Sequence, residues 1–175
     1  MKNKTDCAII LAAGFGERFL PITETIPKPA LPFLNKPMIC WTLEQLINYG
    51  VKKVFVNLHH LSDLIIKALN PYREKIEIVF SFEETILGTY GLFSKFKKSL
   101  PEKFFVLNSD VFLKIPFYEL DQFFAEKENL DAVLLLRKKR KSENYTSFLL
   151  DKHLVRKMGE GCHHFCGIYI AKKSF

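Results

Sequence analysis

Apolar runs and amphipathic stretches alternate along most of the chain. Continuous apolar runs predict buried strands, whereas apolar residues spaced three and four apart predict helices. In chain order the pattern predicts strand 7–13, helix 37–49, strand 53–58, helix 62–69, strand 76–82, helix 88–98, strand 103–107, helix 117–127 and strand 131–136. Three short strands, at 147–150, 154–158 and 165–170, then follow without an intervening helix.

This order of elements predicts one α/β domain. Repeated strand–helix–strand units favour a mostly parallel central sheet with right-handed crossovers, and the final strands add antiparallel pairs. Ser62 is expected to cap the second helix. A ligand is expected beyond the carboxyl ends of the parallel strands, where open α/β sheets place their binding crevices.

Composition is that of a globular protein of 175 residues, with 48% hydrophobic and 26% charged residues. No apolar run approaches the roughly 20 residues of a membrane span, and the amino-terminal segment does not read as a signal peptide. Four cysteines fit a reducing compartment. We therefore expect a cytoplasmic protein without a membrane partner.

The formal net charge of +7 suggests an anionic partner. The basic run at residues 137–141 lacks interleaved aromatic residues, so we interpret it as a solvated surface loop and expect no nucleic-acid partner. Nucleic-acid binding through this run is kept as a competing hypothesis. Cys162 and Cys166 lack a second ligand pair, which argues against a zinc site.

The stretch LAAGFGERFLPITETIPKPALP, residues 11–32, joins a glycine-rich turn to a proline-rich segment. It is not a P-loop, because no Gly-Lys-Ser or Gly-Lys-Thr follows the first glycine. It is not a dinucleotide fingerprint either, because Phe19 stands where a third glycine is required and the prolines prevent a following helix.

Small side chains in this stretch predict another kind of phosphate loop. Residues 12–14 and Gly16 let backbone N–H groups approach a triphosphate closely. Arg18 and the proline-flanked Lys28 supply two cations suited to the charge that develops as pyrophosphate leaves. Asp110, directly after a buried strand, is placed to bind magnesium.

These residues resemble the signature of the sugar-1-phosphate nucleotidyltransferases, L-A-A-G-x-G-x-R-x-x-P-x-T followed by P-K-P. Further along, ILGTYGLFSKF is similar to the family's L-G-T-A-G segment, and FFVLNSDVF resembles the strand that ends in its metal aspartate. FCGIYIAKKSF resembles a later G-I-Y strand. The first motif is highly specific, and the others are weak when taken alone.

The resemblance implies a Rossmann-like, three-layer fold of the GT-A-like type. It also implies an enzyme that forms an NDP-sugar and pyrophosphate from a nucleoside triphosphate and a sugar 1-phosphate, with Mg2+. The implied catalytic residues are Arg18, Lys28 and Asp110, the last as metal ligand. The implied substrate contacts are Leu11, Ala12, Ala13, Gly14, Phe15, Gly16, Glu17, Gly88 and Asn108. Read as local structure alone, Gly88 is a helix cap and Asp110 a turn residue.

The sequence departs from the family pattern in two places. The family's second magnesium aspartate lies in a segment after the G-I-Y strand that is not present before Phe175, so we interpret residues 1–175 as one domain truncated at its carboxyl end. Residues 159–161 replace the family's E-K-P. An inactive nucleotide-binding regulatory subunit is therefore the alternative, and the base and the sugar stay open.

Overall fold

The computed structural model describes residues 4–127, 129–140 and 142–175. Its helices are α1 Met38–Tyr49, α2 Ser62–Leu69, α3 Gly88–Phe96 and α4 Phe117–Glu126. Its strands are β1 Cys7–Leu11, β2 Pro32–Phe33, β3 Lys36–Pro37, β4 Lys53–Leu58, β5 Glu77–Phe82, β6 Lys103–Asn108, β7 Ala132–Lys138, β8 Ser147–Asp151, β9 Leu154–Met158 and β10 His163–Lys172. No helix in these ranges has the length and apolar character needed to cross a membrane.

The first half of the sheet is parallel. Strands β5, β4, β1 and β6 lie side by side in that order, and each neighbouring pair runs in the same direction. Parallel neighbours need crossover connections, which α1, α2 and α3 provide. As a result β1, β4 and β6 all end at one edge of the sheet.

The second half is antiparallel and is organised by the long strand β10. Its carboxyl-terminal part pairs with β6, its amino-terminal part pairs with β8, and β7 lies along its other side. The register with β7 shifts between Phe165 and Tyr169. Gly167 lies within this bulge with a φ of 81°, a conformation that favours glycine. The bulge therefore stands beside the end of β6.

Apolar side chains cover both faces of the sheet and create a three-layer structure. Ala8 and Ile10 of β1 face the core beneath α1, α2 and α4, whereas Cys7 and Ile9 face the core beneath α3. Alternate residues of a strand point to opposite faces, so a strand covered on both sides is apolar throughout. The predicted α/β fold with a mostly parallel sheet and added antiparallel strands is confirmed.

Several predicted boundaries differ from the structure. The first strand ends at Leu11 rather than at residue 13, because the Ala12 N–H turns to a side-chain acceptor. Ser62 begins α2 but does not cap it; Leu61, with a φ of 50°, occupies the capping position without a side-chain bond. The last strand is longer than predicted, since His163 and Lys172 still pair with neighbouring strands.

Asp121 lies inside α4 and is buried. Its carboxylate accepts hydrogen bonds from the Thr5 N–H and hydroxyl, from the Tyr49 hydroxyl, and from Lys103 at 2.7 Å. Burial acts to raise the pKa of Asp121, but these donors outweigh it and lower the pKa below its ordinary value. The cluster ties the segment before β1, together with α1 and β6, to α4 and is structural.

Candidate active site

Of the two glycines in the loop after β1, Gly16 constrains the loop conformation and Gly14 does not. Gly16 has a φ of 70°, and a Cβ there would lie 2.9 Å from the Cβ of Lys28 and 3.0 Å from the Thr23 Cγ2. Gly14 has no atom within 4 Å of the corresponding position. Gly16 is thus required for the turn and for the approach of the Lys28 segment, whereas Gly14 only keeps open space beside the loop.

The position of Lys28 is set by its flanking prolines and by an ion pair. Pro27 is extended, Lys28 begins a single 3-10 turn with Pro29 in its first turn, and no α-helix forms here, as the prolines predicted. The Lys28 ammonium pairs with the Asp110 carboxylate and lies 5.4 Å from the centre of the Phe19 ring. Both members of the pair are partly exposed, with 19% and 27% of their side-chain surfaces accessible. The ion pair therefore stands at a solvent-facing junction.

A cleft of about 480 Å³ opens over the carboxyl ends of β1 and β6. The predicted site residues that line it are Leu11, Ala13, Gly14, Phe15, Gly16, Glu17, Arg18, Lys28, Gly88, Asn108 and Asp110. Ala12 is the exception, since it is buried and its N–H donates to the Asn57 Oδ1 at 2.7 Å. The expectation that the Ala12 N–H faces a phosphate is corrected by this bond.

Five further residues line this cleft and were not predicted: Phe19, Pro29, Asn57, Ile86 and Ser109. Asn57 had a usable signal, because it is a polar residue within an apolar strand and the strand ends at the ligand-binding edge. Gly88 has a φ of 67° and stands at the first turn of α3. Its place in the cleft wall is compatible with either interpretation of this glycine, as helix start or as ligand contact.

A second cleft, of about 640 Å³, lies beside the first. Arg18, Phe19, Lys28, Asn108 and Asp110 line both clefts, so these residues form the wall between them. Among the described residues of this shared wall, Asp110 is the only acid. Two cations and one carboxylate thus stand where ligands in the two clefts would meet.

The far wall of the second cleft comes from the antiparallel half of the sheet. Arg137 of β7, Tyr145 before β8, and His164, Phe165, Cys166 and Gly167 of β10 line it. None of them was predicted as a site residue. Their positions are far apart in sequence, and the G-I-Y resemblance that covers Phe165, Cys166 and Gly167 was interpreted only as a strand. A Cβ on Gly167 would lie 2.8 Å from the Asn108 Nδ2, so the bulge also sets the space available to Asn108.

His164 is buried in this wall, 6% exposed, and its ring packs 4.9 Å from that of Tyr145. Burial, the largest cause, and the nearby Arg137 lower the pKa of His164, and Glu143 acts in the opposite direction. The Glu143 carboxylate pairs with Arg137, which together with the Arg140 N–H lowers the pKa of Glu143 to about 2. At neutral pH this wall therefore presents a neutral imidazole beside a compensated ion pair.

The basic run at residues 137–141 begins inside a strand rather than in a loop, although Arg137, Lys138 and Arg140 are exposed, as predicted. Arg137 and Lys138 belong to β7 and pair with His164 and His163 of β10, because the apolar strand extends into the run. Lys139 donates through its ammonium to the Tyr145 carbonyl. Lys141 lies outside the described residues.

Fold and site together define an α/β protein with a glycine loop, two cations and a carboxylate at the carboxyl edge of its parallel strands. The chain belongs to the nucleotidyl transferase family, whose model matches residues 7–156. The resemblance recognised in the sequence is thereby confirmed at the level of the family.

Two relatives illustrate the similarity. The mannose-1-phosphate guanyltransferase of Yarrowia lipolytica is 38% identical over 142 residues, which cover 78% of this chain and 39% of the relative. The catalytic subunit beta of the Drosophila pseudoobscura pseudoobscura mannose-1-phosphate guanylyltransferase is 35% identical over 150 residues, covering 83% and 40% respectively. The chain thus spans about two fifths of the length of these relatives.

Solved structures share the fold. The inositol-1-phosphate CTP transferase from T. maritima superposes with a TM-score of 0.82 at 22% identity, over 99% of this chain and 73% of that one. A putative glucose-1-phosphate thymidylyltransferase from Bacillus anthracis superposes with a TM-score of 0.82 at 20% identity, over 95% and 71%. At these identities the likeness establishes the three-layer architecture.

Proposed function

We propose that this protein transfers a nucleotidyl group from a nucleoside triphosphate to a sugar 1-phosphate, forming an NDP-sugar and pyrophosphate. The observation that carries the proposal is the wall shared by the two clefts, which holds Arg18, Lys28 and Asp110. A transfer between two bound substrates needs two neighbouring sites with charge stabilisation at their junction. Family membership supports the same reaction class.

The first cleft is proposed to bind the nucleoside triphosphate. Ala13, Gly14 and Gly16 of the loop after β1 have little or no side chain, so the backbone there can lie close to phosphate oxygens. Arg18 is exposed and has no acidic partner within the described residues, which leaves its guanidinium available for a bidentate phosphate contact. Gly88 and Ile86 form the opposite wall, against which the base is proposed to lie.

The second cleft is proposed to bind the sugar 1-phosphate, with Asn108 beside its phosphate. An oxygen of that phosphate attacks the α-phosphorus of the triphosphate, and the bond to the β-phosphate oxygen breaks. Pyrophosphate leaves with the electron pair of that bond. Arg18 and Lys28 stabilise the charge on the leaving group, and no covalent intermediate with the protein is needed.

Magnesium is proposed to bind at Asp110. The carboxylate already attracts a cation, the Lys28 ammonium, and Mg2+ is often held by one or two carboxylates together with substrate phosphates. When bound, Mg2+ would neutralise charge on the phosphates. Within the described residues no group of three or more His, Cys, Asp or Glu side chains comes together as a metal site, so phosphate oxygens and water would complete the coordination.

The relatives suggest which substrates to test first. Both are described as mannose-1-phosphate guanyltransferases or guanylyltransferases, so we propose GTP and mannose 1-phosphate as the first pair. The free thiols Cys7, Cys40, Cys162 and Cys166 fit the reducing cytoplasm, where we propose that the protein acts.

An inactive nucleotide-binding subunit is the second candidate. It is favoured by the single acid at the junction, because one carboxylate leaves a magnesium ion mostly hydrated. This form would bind nucleoside triphosphate without converting it. The 175-residue chain is accordingly expected to turn over slowly.

Pyrophosphate release from GTP, mannose 1-phosphate and MgCl2 distinguishes the two candidates. The proposed function predicts release that requires all three components, and that falls sharply in Asp110→Asn. In the same variant, calorimetry should show that GTP binding has lost most of its Mg2+ dependence. GTP binding without any release, across a panel of sugar 1-phosphates, would favour the inactive subunit. Absence of both binding and release for every nucleoside triphosphate would refute the proposed function.

A further inference from the structure

A buried carboxylate lies just behind the nucleotide cleft. Glu83 directly follows β5 and is 5% exposed, as is Asn57 of the neighbouring strand β4. The Asn57 Nδ2 donates to the Glu83 Oε1 at 2.9 Å. Burying a carboxylate costs free energy unless its oxygens accept hydrogen bonds. The partners of this buried pair therefore indicate what the pair does.

Each residue of the pair also holds a different wall of the cleft. The Ala12 N–H, from the loop after β1, donates to the Asn57 Oδ1 at 2.7 Å. The Leu87 N–H, next to Gly88 on the opposite wall, donates to the Glu83 Oε2 at 2.9 Å. A continuous chain of hydrogen bonds therefore runs from one wall to the other.

A second connection runs parallel to the first. The His59 Nδ1–H donates to the Glu83 carbonyl at 2.7 Å, and the Phe15 ring of the glycine loop packs edge-on against the His59 ring at 5.1 Å. Because a carbonyl only accepts, this bond requires the proton on Nδ1. The segment at residues 83–87 is thus tied to Asn57 of β4 and to His59 just after it.

Charge does not explain the Glu83 position. Within the described residues Glu83 has no cationic partner, and both of its oxygens accept from uncharged N–H donors. The two hydrogen bonds require that both side-chain oxygens of Glu83 act as acceptors. An amide in place of the carboxylate would set a donor against either Asn57 Nδ2 or the Leu87 N–H.

We propose that Asn57 and Glu83 are positioning residues that set the distance between the two walls of the nucleotide cleft. Their role is to hold the Ala12 loop and the Leu87–Gly88 segment at the separation that a nucleoside triphosphate requires. This inference rests on the proposed function of the first cleft. It predicts an effect on nucleotide affinity that is absent for the sugar phosphate.

The direction of the hydrogen bonds supplies a sharp test. In Glu83→Gln one donor loses its acceptor, and in Asn57→Asp two carboxylates face each other. The double variant restores the pattern in reverse. The new carboxylate at position 57 accepts from the Ala12 N–H and from the new amide at position 83, whose oxygen accepts from the Leu87 N–H. Only a role that depends on this chain of bonds predicts rescue by combining the two changes.

The experiment is calorimetric titration of the 175-residue chain with GTP and, separately, with mannose 1-phosphate. Each single variant should raise the Kd for GTP about tenfold, as expected from one unsatisfied buried donor or one repulsive pair, and leave the Kd for mannose 1-phosphate unchanged. The double variant should recover most of the GTP affinity. Glu84→Gln removes the same charge at the exposed neighbouring residue and should bind GTP like the unsubstituted chain.

Thermal unfolding of all variants separates positioning from stability. If Glu83→Gln binds GTP normally, or if the double variant binds no better than the singles, the inference is wrong even though the proposed function stands. An equal loss of affinity for both ligands would mean general loosening of the fold and would also overturn it. If the unsubstituted chain binds mannose 1-phosphate but no nucleoside triphosphate, the inference falls together with the proposed function.

Discussion

The two clefts of this protein are built by different means. The proposed nucleotide cleft takes half of its lining from one short stretch, Leu11 and residues 13–19, in which Ala13, Gly14 and Gly16 expose the backbone. The proposed sugar cleft combines the shared wall and the segment after β6 with side chains from β7, from the approach to β8, and from β10, which are distant in sequence. The comparison shows that a site formed by backbone can be recognised as a motif, whereas a site formed by scattered side chains depends on the fold.

The buried polar side chains next to the two clefts also differ in how completely they are hydrogen-bonded. Behind the nucleotide cleft, Asn57 and Glu83 satisfy each other and the backbone of both walls. In the far wall of the sugar cleft, the buried Nδ1 of His164 lacks a hydrogen-bond partner within the described residues, and Glu143 stands 3.7 Å away. The Asn57–Glu83 pair is thus fully hydrogen-bonded, whereas the His164 imidazole is not.

The largest effect is expected at the residues that both clefts share. Lys28→Ala and Arg18→Ala should each lower pyrophosphate release about 10²–10³-fold, because each removes a cation that stabilises the leaving group. Unfolding free energy should change by less than about 1 kcal/mol, since both side chains are at least partly exposed. Lys67→Ala, at an exposed position on α2, is the control in the same assay. Turnover close to the control would remove both residues from the catalytic site.

The two glycines of the nucleotide loop should respond differently. Gly16→Ala places a Cβ against Lys28 in a left-handed conformation and should lower the unfolding free energy by about 1–2 kcal/mol. Gly14→Ala should leave it unchanged within about 0.5 kcal/mol, because its Cβ meets open space. Chemical denaturation measures both values. Equal stability of the two variants would contradict the assigned loop geometry.

The bulge in β10 should affect the sugar cleft selectively. In Gly167→Ala the new Cβ pushes on Asn108 and the backbone is strained, so the KM for mannose 1-phosphate should rise about tenfold. The KM for GTP should rise less, since Gly167 lines only the second cleft and Asn108 is the one residue it presses on that also lines the first. Initial rates with each substrate varied in turn measure the split. A matching rise in both values would mean that the clefts are not separate in function.

The smallest effect is expected in the pH dependence of the unfolding free energy, through His164 in the far wall of the second cleft. Because the pKa of His164 is lowered in the folded protein, the unfolded chain takes up a proton first as the pH falls below about 6.5. The contribution of His164 to stability is complete above that pH and is lost toward the lowered folded pKa. His164→Gln should therefore flatten the pH dependence of unfolding free energy in this window. A slope identical to that of the unsubstituted chain would show that His164 does not titrate there.

The sequence allowed the parallel half of the fold to be predicted closely, because its strands are apolar throughout and its helices have clear apolar faces. The bounds of β4 and α2 agree with the prediction. The end of β1 could not be predicted, since it depends on the Ala12 bond to Asn57, a residue 45 positions away. The length of β10 likewise depends on partners on both of its sides.

The candidate site, like the fold, was predicted from the sequence only in part. Predicted residues of the glycine loop, with Lys28 and Asp110, come together because the parallel strands end at one edge. Glu83 gave no signal, since one of two adjacent glutamates becomes buried only when β4 and β5 pair. Tyr145 and His164 were missed because the antiparallel pairing that brings them to Arg137 cannot be read from local pattern.

Simultaneous occupancy of the two clefts is the most direct test of this account. Mannose 1-phosphate is titrated calorimetrically into the chain, once alone and once saturated with a non-hydrolysable GTP analogue and Mg2+. The account predicts a measurable Kd in both titrations, and binding of one sugar phosphate to the nucleotide-loaded chain. Competition between the two ligands, with sugar-phosphate binding abolished by the nucleotide analogue, would contradict the assignment of two substrates to two clefts.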